Sequence, residues 1–193
     1  MNNVILEGEI LTTPELTYEY KGIDFYTSEI VVKRASGIED IIPIHISGKP
    51  SFKEGDFISI KGSFRSYNKI EDNKSKLKLH VLIDDYQILD NEKYENKIEL
   101  EGFICKKPTF RLTPNHKKIT DVVIAVNRKY NKSDYFPVLF WGNAAFTAKD
   151  LEVGQKLNLK GRIQSRIYTK NGEDKITYEI SVETFEKLGA NFN

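Results

Sequence analysis

The sequence is short of the residues that would tie it to an oxidising compartment, a membrane or a catalytic site. It has one cysteine, Cys105, so no internal disulfide can form, which fits a reducing cytoplasm. No apolar run approaches the ~20 residues that a membrane span needs. The N-terminus, MNNVILEGEI, has no basic stretch leading into a long apolar segment, so no secretory leader is expected. His45, His80 and His116 are spread along the chain with no Cys or Asp at ligand spacing, so neither a metal nor a cofactor is expected. Cys105 has no base or CxxC partner nearby and reads as a buried or half-exposed thiol. The carboxylate pairs Glu39-Asp40 and Asp84-Asp85 are chain neighbours. On a strand such neighbours face opposite ways, so both pairs read as solvated rather than catalytic. With no Gly-rich phosphate loop and no nucleophile elbow, an enzyme is not expected.

A charge excess of one sign is also missing overall, with 29 Lys and Arg against 28 Asp and Glu. The balance hides an asymmetry. Residues 1–94 carry 12 basic and 16 acidic side chains, a net −4, while residues 95–193 carry 17 and 12, a net +5. A polyanionic partner would favour the second half. The hydrophobic fraction of 39% suits a soluble globular chain, and the length allows two small domains with cores of their own.

An internal repeat supports two domains. Val4-Ile-Leu-Glu-Gly8 recurs as Ile98-Glu-Leu-Glu-Gly102, and Pro14 as Pro108, each 94 residues later. Ile42-Pro-Ile-His-Ile-Ser-Gly48 recurs as Phe136-Pro-Val-Leu-Phe-Trp-Gly142 at the same spacing. Gly55 and Lys61-Gly62 then match Gly154 and Lys160-Gly161 at 99, so the second copy gained five residues between Gly142 and Gly154. Such a repeat marks two copies of one structural unit.

Each copy reads as β-rich. In the second, Ile98/Leu100, Val122/Ile124/Val126, Val138/Phe140, Leu157/Leu159 and Ile176/Tyr178/Ile180/Val182 recur at period two, the mark of half-buried strands. Asn171-Gly172 predicts a type I′ hairpin. The Ala-rich stretch Asn143–Leu151 predicts a helix where the second copy is longer, between the third and fourth strands. Five short strands with a helix before the fourth is the plan of an OB barrel. The expected fold is therefore all-β: two tandem five-stranded OB barrels, the second with a short helix between strands 3 and 4. The expected boundaries are 1–90 for the first domain, 91–96 for a polar linker and 97–188 for the second domain.

A sequence-tolerant binder of single strands needs aromatic faces for bases and cations for phosphates, and the second copy has both. Arg128 and Tyr130 follow its second strand, and Tyr135 and Trp141 flank its third. Arg162, Arg166, Tyr168 and Lys170 run along its fourth at even spacing and so share a face. Tyr135 and Trp141 share a face as well, although alternation alone does not tell which of Phe140 and Trp141 lies inside.

At these residues the second copy resembles the bacterial single-stranded DNA-binding protein family, over about residues 96–188. The resembling stretches are Leu100-Glu-Gly102, Ala125-Val-Asn-Arg-Lys-Tyr130, Tyr135-Phe-Pro-Val-Leu-Phe-Trp-Gly142 with Ala145, and Lys160-Gly-Arg-Ile-Gln-Ser-Arg-Ile-Tyr168. The resemblance implies that Tyr130, Tyr135, Trp141 and Tyr168 stack on bases and that Arg128, Arg162 and Arg166 contact the backbone. It implies single-stranded DNA as partner, in replication, recombination or repair; RNA would use the same groove physics. Family members assemble as four barrels, so this chain is expected as a homodimer or as a monomer with an internal pseudo-dimer.

The chain departs from the family in three respects. The family's Gly/Pro-rich linker and acidic tip have no counterpart, the chain ending Gly-Ala-Asn-Phe-Asn193, so replication or recombination proteins stay possible partners but without the tail that recruits them in the family. The loop Asn131-Lys-Ser-Asp134 is short. The first copy has Ser36, Ile41, Ser47 and Lys69 where the second has Tyr130, Tyr135, Trp141 and Tyr168, and so reads as a structural pairing partner. The competing reading is an OB-fold protein-interaction module of a primosome or recombination complex.

Overall fold

The structure, a computed structural model, describes residues 1–71, 73–170 and 172–189, the side chains of Lys170 and Glu173 excepted. The chain forms two compact units. The N-terminal unit comprises Asn3–Lys97 together with Gln164–Thr177; the C-terminal unit comprises Met1–Asn2, Ile98–Ile163 and the chain from Tyr178 onward.

The N-terminal unit contains β1 (Asn2–Ile10), β2 (Glu15–Tyr20), β3 (Ile23–Lys33), β4 (Glu39–Ser47), β5 (Phe57–Glu71) and β6 (Lys74–Leu89). Five of these close into a barrel. β1 pairs with β5 along most of its length and then with β3 at Glu9↔Val31 and Ile10↔Ile30. β3 pairs with β4, β4 runs parallel to β6 at Ile44↔Val81, and β6 returns to β5. A closed barrel leaves none of its five strands as a free edge. Period-two alternation points Leu6, Ile30, Ile42, Ile44, Ile58, Ile60, Phe64 and Val81 inward, all buried, at roughly 1.5–3 kcal/mol for each large side chain.

The second copy repeats the plan with β7 (Glu95–Ile104), β8 (Thr109–Leu112), β9 (Lys118–Asn127), β10 (Ser133–Trp141), β11 (Lys156–Lys170) and β12 (Glu173–Leu188), of which the segment Gln164–Thr177 belongs to the N-terminal unit. β7 closes onto β9 at Phe103↔Ala125 and onto β11 at Leu159↔Leu100, and β10 runs parallel to β12 at Val138↔Ile180. Both copies are OB barrels, as the repeat implied. Each carries one strand more than expected: β2 is laid against β3 and β8 against β9. Every residue of β2 and β8 is exposed, so neither strand has the buried face that makes alternation visible.

The stretch between Gly142 and Gly154 that holds the five-residue gain forms α1 (Gly142–Ala148), shorter than the expected Asn143–Leu151. Ala145 and Ala148 are buried, and the Thr120 hydroxyl donates to the Ala145 carbonyl at 2.6 Å. Leu151, just past the helix, is buried in the barrel end. In the first copy its counterpart is Phe52, buried without a helix and preceded by Ser51, whose amide donates to the Tyr86 hydroxyl at 3.0 Å. Of the predicted hairpin turn, Gly172 has φ +79°, the left-handed backbone that glycine favours; Asn171 lies outside the described residues.

The glycines that mark the repeat sit where barrel strands come closest. A Cβ on Gly8 would lie 2.2 Å from the Val31 carbonyl oxygen, and one on Gly102 would lie 2.4 Å from Ile124 Cγ2 and 2.7 Å from the Ala125 oxygen. A Cβ on Gly62 or Gly161 would lie 2.2 or 2.1 Å from the Leu82 or Ser181 carbonyl oxygen, and Gly62 adjoins a bulge between β5 and β6. A contact under 3 Å to backbone must be relieved by moving a strand. Gly102→Ala and Gly161→Ala are therefore expected to lower stability by about 2–4 kcal/mol each, read as a fall in the urea midpoint. Gly189→Ala, which meets nothing within 4 Å, should leave the midpoint unchanged.

Candidate nucleic-acid interface

Barrel closure settles which way β10 faces. Phe136, Val138 and Phe140 fill the core, so Tyr135 and Trp141 point outward, 46% and 36% exposed. Tyr135 stands opposite Ala125 on β9, a side chain too small to cover its ring. The Trp141 indole N–H donates to the hydroxyl of buried Ser181 at 3.2 Å. That bond holds the ring edge while part of the ring stays open to solvent.

Tyr130 lies in a 3-10 turn, Lys129–Asn131, between β9 and β10. Tyr130 and Asn131 both have left-handed backbone, φ +64° and +55°, a conformation that costs a non-glycine residue roughly 1–2 kcal/mol. The Arg128 amide donates to the Lys132 carbonyl at 2.7 Å and closes the loop. The result is a tyrosine 92% exposed at a loop tip.

Arg128, expected as a backbone contact, has a partner within the protein. Its Nε lies 3.2 Å from a carboxylate oxygen of Asp134, which is fully buried. The same pair occurs 94 residues earlier, where Arg34 donates to Asp40 through Nε at 2.7 Å and Nη2 at 2.6 Å. Asp40 is fully buried too, which corrects the expectation that Glu39-Asp40 is solvated. The repeat register held the signal, since both members of the pair recur at 94.

Arg162 is half-buried on β11, while Arg166 and Tyr168 are exposed, Tyr168 at 38%. Lys170 ends the strand with its side chain outside the described residues. Arg128, Tyr130, Tyr135, Trp141 and Arg162 thus belong to the C-terminal unit. Arg166 and Tyr168 lie on the hairpin segment that packs with the N-terminal unit.

The first copy has an aromatic cluster that the sequence did not announce. His45 and His80 stack at 3.8 Å between ring centroids, although they are far apart in the chain. Tyr18 stacks on Phe25 at 4.8 Å, and Tyr67 meets His80 edge-on at 5.6 Å. His45 occupies the register position of Leu139, and burial pushes it down to about pH 4. Nearby on the β5–β6 hairpin, Lys69, Lys76 and Lys78 converge on Glu71 at 3.5, 3.1 and 2.9 Å. Hydrogen bonds from Lys78 and Lys76 push its carboxyl down to about 2. Among the described residues, no group of three or more His, Cys, Asp or Glu side chains is placed to hold a metal ion. The Cys105 thiol donates to the Val123 carbonyl at 3.3 Å, and burial raises its pKa. No described helix is long and apolar enough to cross a membrane.

Comparison with known proteins places these features in context. The Single-strand binding protein family matches residues 95–188. A single-stranded DNA-binding protein from Clostridium tetani is 33% identical over 101 residues, which cover 48% of this chain and 70% of that protein. A single-stranded DNA-binding protein from Deinococcus radiodurans aligns with 97% of this chain and 75% of its own length at 23% identity. The crystal structure of the wild-type single-stranded DNA binding protein from Thermus aquaticus superposes with a TM-score of 0.81. It covers 98% of this chain and 93% of its own at 18% identity, a likeness of fold.

The buried His45 gives the N-terminal unit an acid sensitivity of known sign. Between about pH 4 and 6.5 the unfolded chain binds a proton there that the folded unit does not. Stability therefore falls as pH drops through this window, by at most about 1.4 kcal/mol per pH unit from this one group. Chemical denaturation at pH 7.5 and 5 is expected to show the loss, and His45→Leu, which copies Leu139, to reduce it.

Proposed function

This chain belongs to the single-strand binding protein family, and from that premise we propose that residues 97–188 form a domain that binds single-stranded DNA without regard to sequence. The observation that carries the reading is the outward turn of Tyr135 and Trp141 on the strand whose Phe136 and Phe140 fill the core. A ring face open to solvent is free to take a base, and stacking a base on such a ring contributes about 1–3 kcal/mol. Tyr130 at its loop tip and Tyr168 on β11 add two further platforms. Arg128, Arg162, Arg166 and Lys170 meet the phosphates, and Arg128, through Asp134, also holds the loop that presents Tyr130. The net +5 of residues 95–193 draws the polyanion to this half.

Residues 1–90 are the second part of the proposal: a barrel that has given up the stacking positions and serves structure and pairing, joined by residues 91–96. The assembly that follows is a homodimer of tandem barrels or a monomer with an internal pseudo-dimer. The protein protects single strands in the cytoplasm during replication, recombination or repair, by binding rather than by catalysis.

Trp141 is the sole tryptophan, and its fluorescence reports on the site. Titration with a dT oligomer of about 35 nucleotides, long enough for several OB sites, is expected to give saturable quenching. Raising the salt concentration should weaken the binding steeply. Replacing Tyr135 and Tyr168 together by Ala is expected to weaken it about tenfold or more. Unweakened binding by that double variant would refute the site assignment. An absence of binding both by fluorescence and by a label-free assay would favour the protein-interaction module instead.

A further inference from the structure

Taking a carboxylate out of water costs several kcal/mol unless hydrogen bonds replace those of the solvent. Asp40 is fully buried at the start of β4, so its partners are the first question. Arg34 supplies two, through Nε and Nη2. It reaches them because the Arg34 amide donates to Ile38 and the Gly37 amide to Arg34, both at 2.8 Å, which folds the β3–β4 connection tightly back. The third partner is distant in sequence: the backbone N–H of Ser165 donates to Asp40 Oδ1 at 2.8 Å. The bond is answered from the next residue, the Ile41 amide donating to the Ser165 hydroxyl at 3.1 Å. Consecutive residues of β4 thus grip one residue of β11, once through a charge-assisted bond, the stronger kind.

Ser165 lies within the segment Gln164–Thr177 that packs as part of the N-terminal unit. It directly precedes Arg166 and stands three residues before Tyr168. At about 3.3 Å per residue, Tyr168 is roughly 10 Å along the strand from this anchor. Residues 166–169 of β11 are all exposed, and beyond the anchor the strand continues into the hairpin with β12. An isolated two-stranded ribbon is marginally stable in water. Where such a ribbon points depends on what holds its base.

We propose that Asp40, through Ser165, is a positioning residue for nucleic-acid binding: the first copy anchors the strand that carries Arg166 and Tyr168. The proposal rests on the reading that Arg166 and Tyr168 meet single-stranded DNA. It gives the first copy, stripped of its own stacking aromatics, a direct part in binding, and its site is a buried carboxylate rather than a surface.

The test uses the full chain with Asp40→Asn, Ser165→Ala and the pair Arg166→Ala/Tyr168→Ala. Ser165→Ala retains the ion pair and the bond to Asp40 and removes only the hydroxyl that accepts from Ile41, so it tests the other half of the same anchor between β4 and β11 if Asp40→Asn fails to fold. Two quantities are read: affinity for a labelled dT oligomer by anisotropy, and amide hydrogen exchange of residues 164–177 without DNA. Loss of one such bond is expected to weaken affinity about three- to tenfold and to speed exchange in 164–177 while leaving β9 and β10 unchanged. A positioning role also requires that both variants lose their effect on affinity in the Arg166→Ala/Tyr168→Ala background. Unchanged exchange in 164–177, or an equal affinity loss in that background, overturns the proposal. If Arg166→Ala/Tyr168→Ala by itself leaves affinity intact, the underlying reading of those two residues has failed, and the role of Asp40 in binding fails with it.

Discussion

The first strand of each copy has to pair with two partners, and the barrel exists because it can. β1 runs along β5 and passes to β3 within its last two residues, and β7 does the same between β11 and β9. A side chain at Gly8 or Gly102 would stand against a backbone carbonyl of the strand being joined. The missing Cβ is what allows closure. Closure gives every strand of the barrel an inside, and the inside decides the surface: with Phe136 and Phe140 committed to the core, Tyr135 and Trp141 have only the outer face.

Much of this was legible in the sequence because barrels are periodic. Alternation at period two located the core strands, the register of 94 and 99 located the two copies, and the five-residue gain located α1. Alternation has no sign, however. It places Phe140 and Trp141 on opposite faces without saying which is inside, and only the closed sheet supplies that. The edge strands β2 and β8 are not legible for a related reason, since wholly exposed segments leave no apolar trace. The stacking of His45 on His80 arises because β6 lies parallel beside β4, a long-range pairing invisible along the chain. Glu39 and Asp40 face opposite ways, and it is Asp40 that is buried. Alternation along a strand gives directions and is silent on which direction is dry.

The two copies spend equivalent positions differently. Where the second has Leu139 under the outward face of β10, the first has His45 in a ring cluster. The first also gathers Lys69, Lys76 and Lys78 about one carboxylate, leaving a local excess of positive charge within a half that is acidic overall. The Arg–Asp pair at the β3–β4 corner is kept in both, as Arg34–Asp40 and Arg128–Asp134. What was kept is the framework, and what diverged is the face presented to water.

The bond between Asp40 and Ser165 joins residues 125 apart in the chain. At synthesis rates of about 5–20 residues per second, Asp40 is made roughly 6–25 seconds before Ser165 exists. For that interval the nascent first barrel holds a carboxylate with its arginine in place and its third partner still unmade. The N-terminal unit, though translated first, is among the last parts of the molecule to be finished.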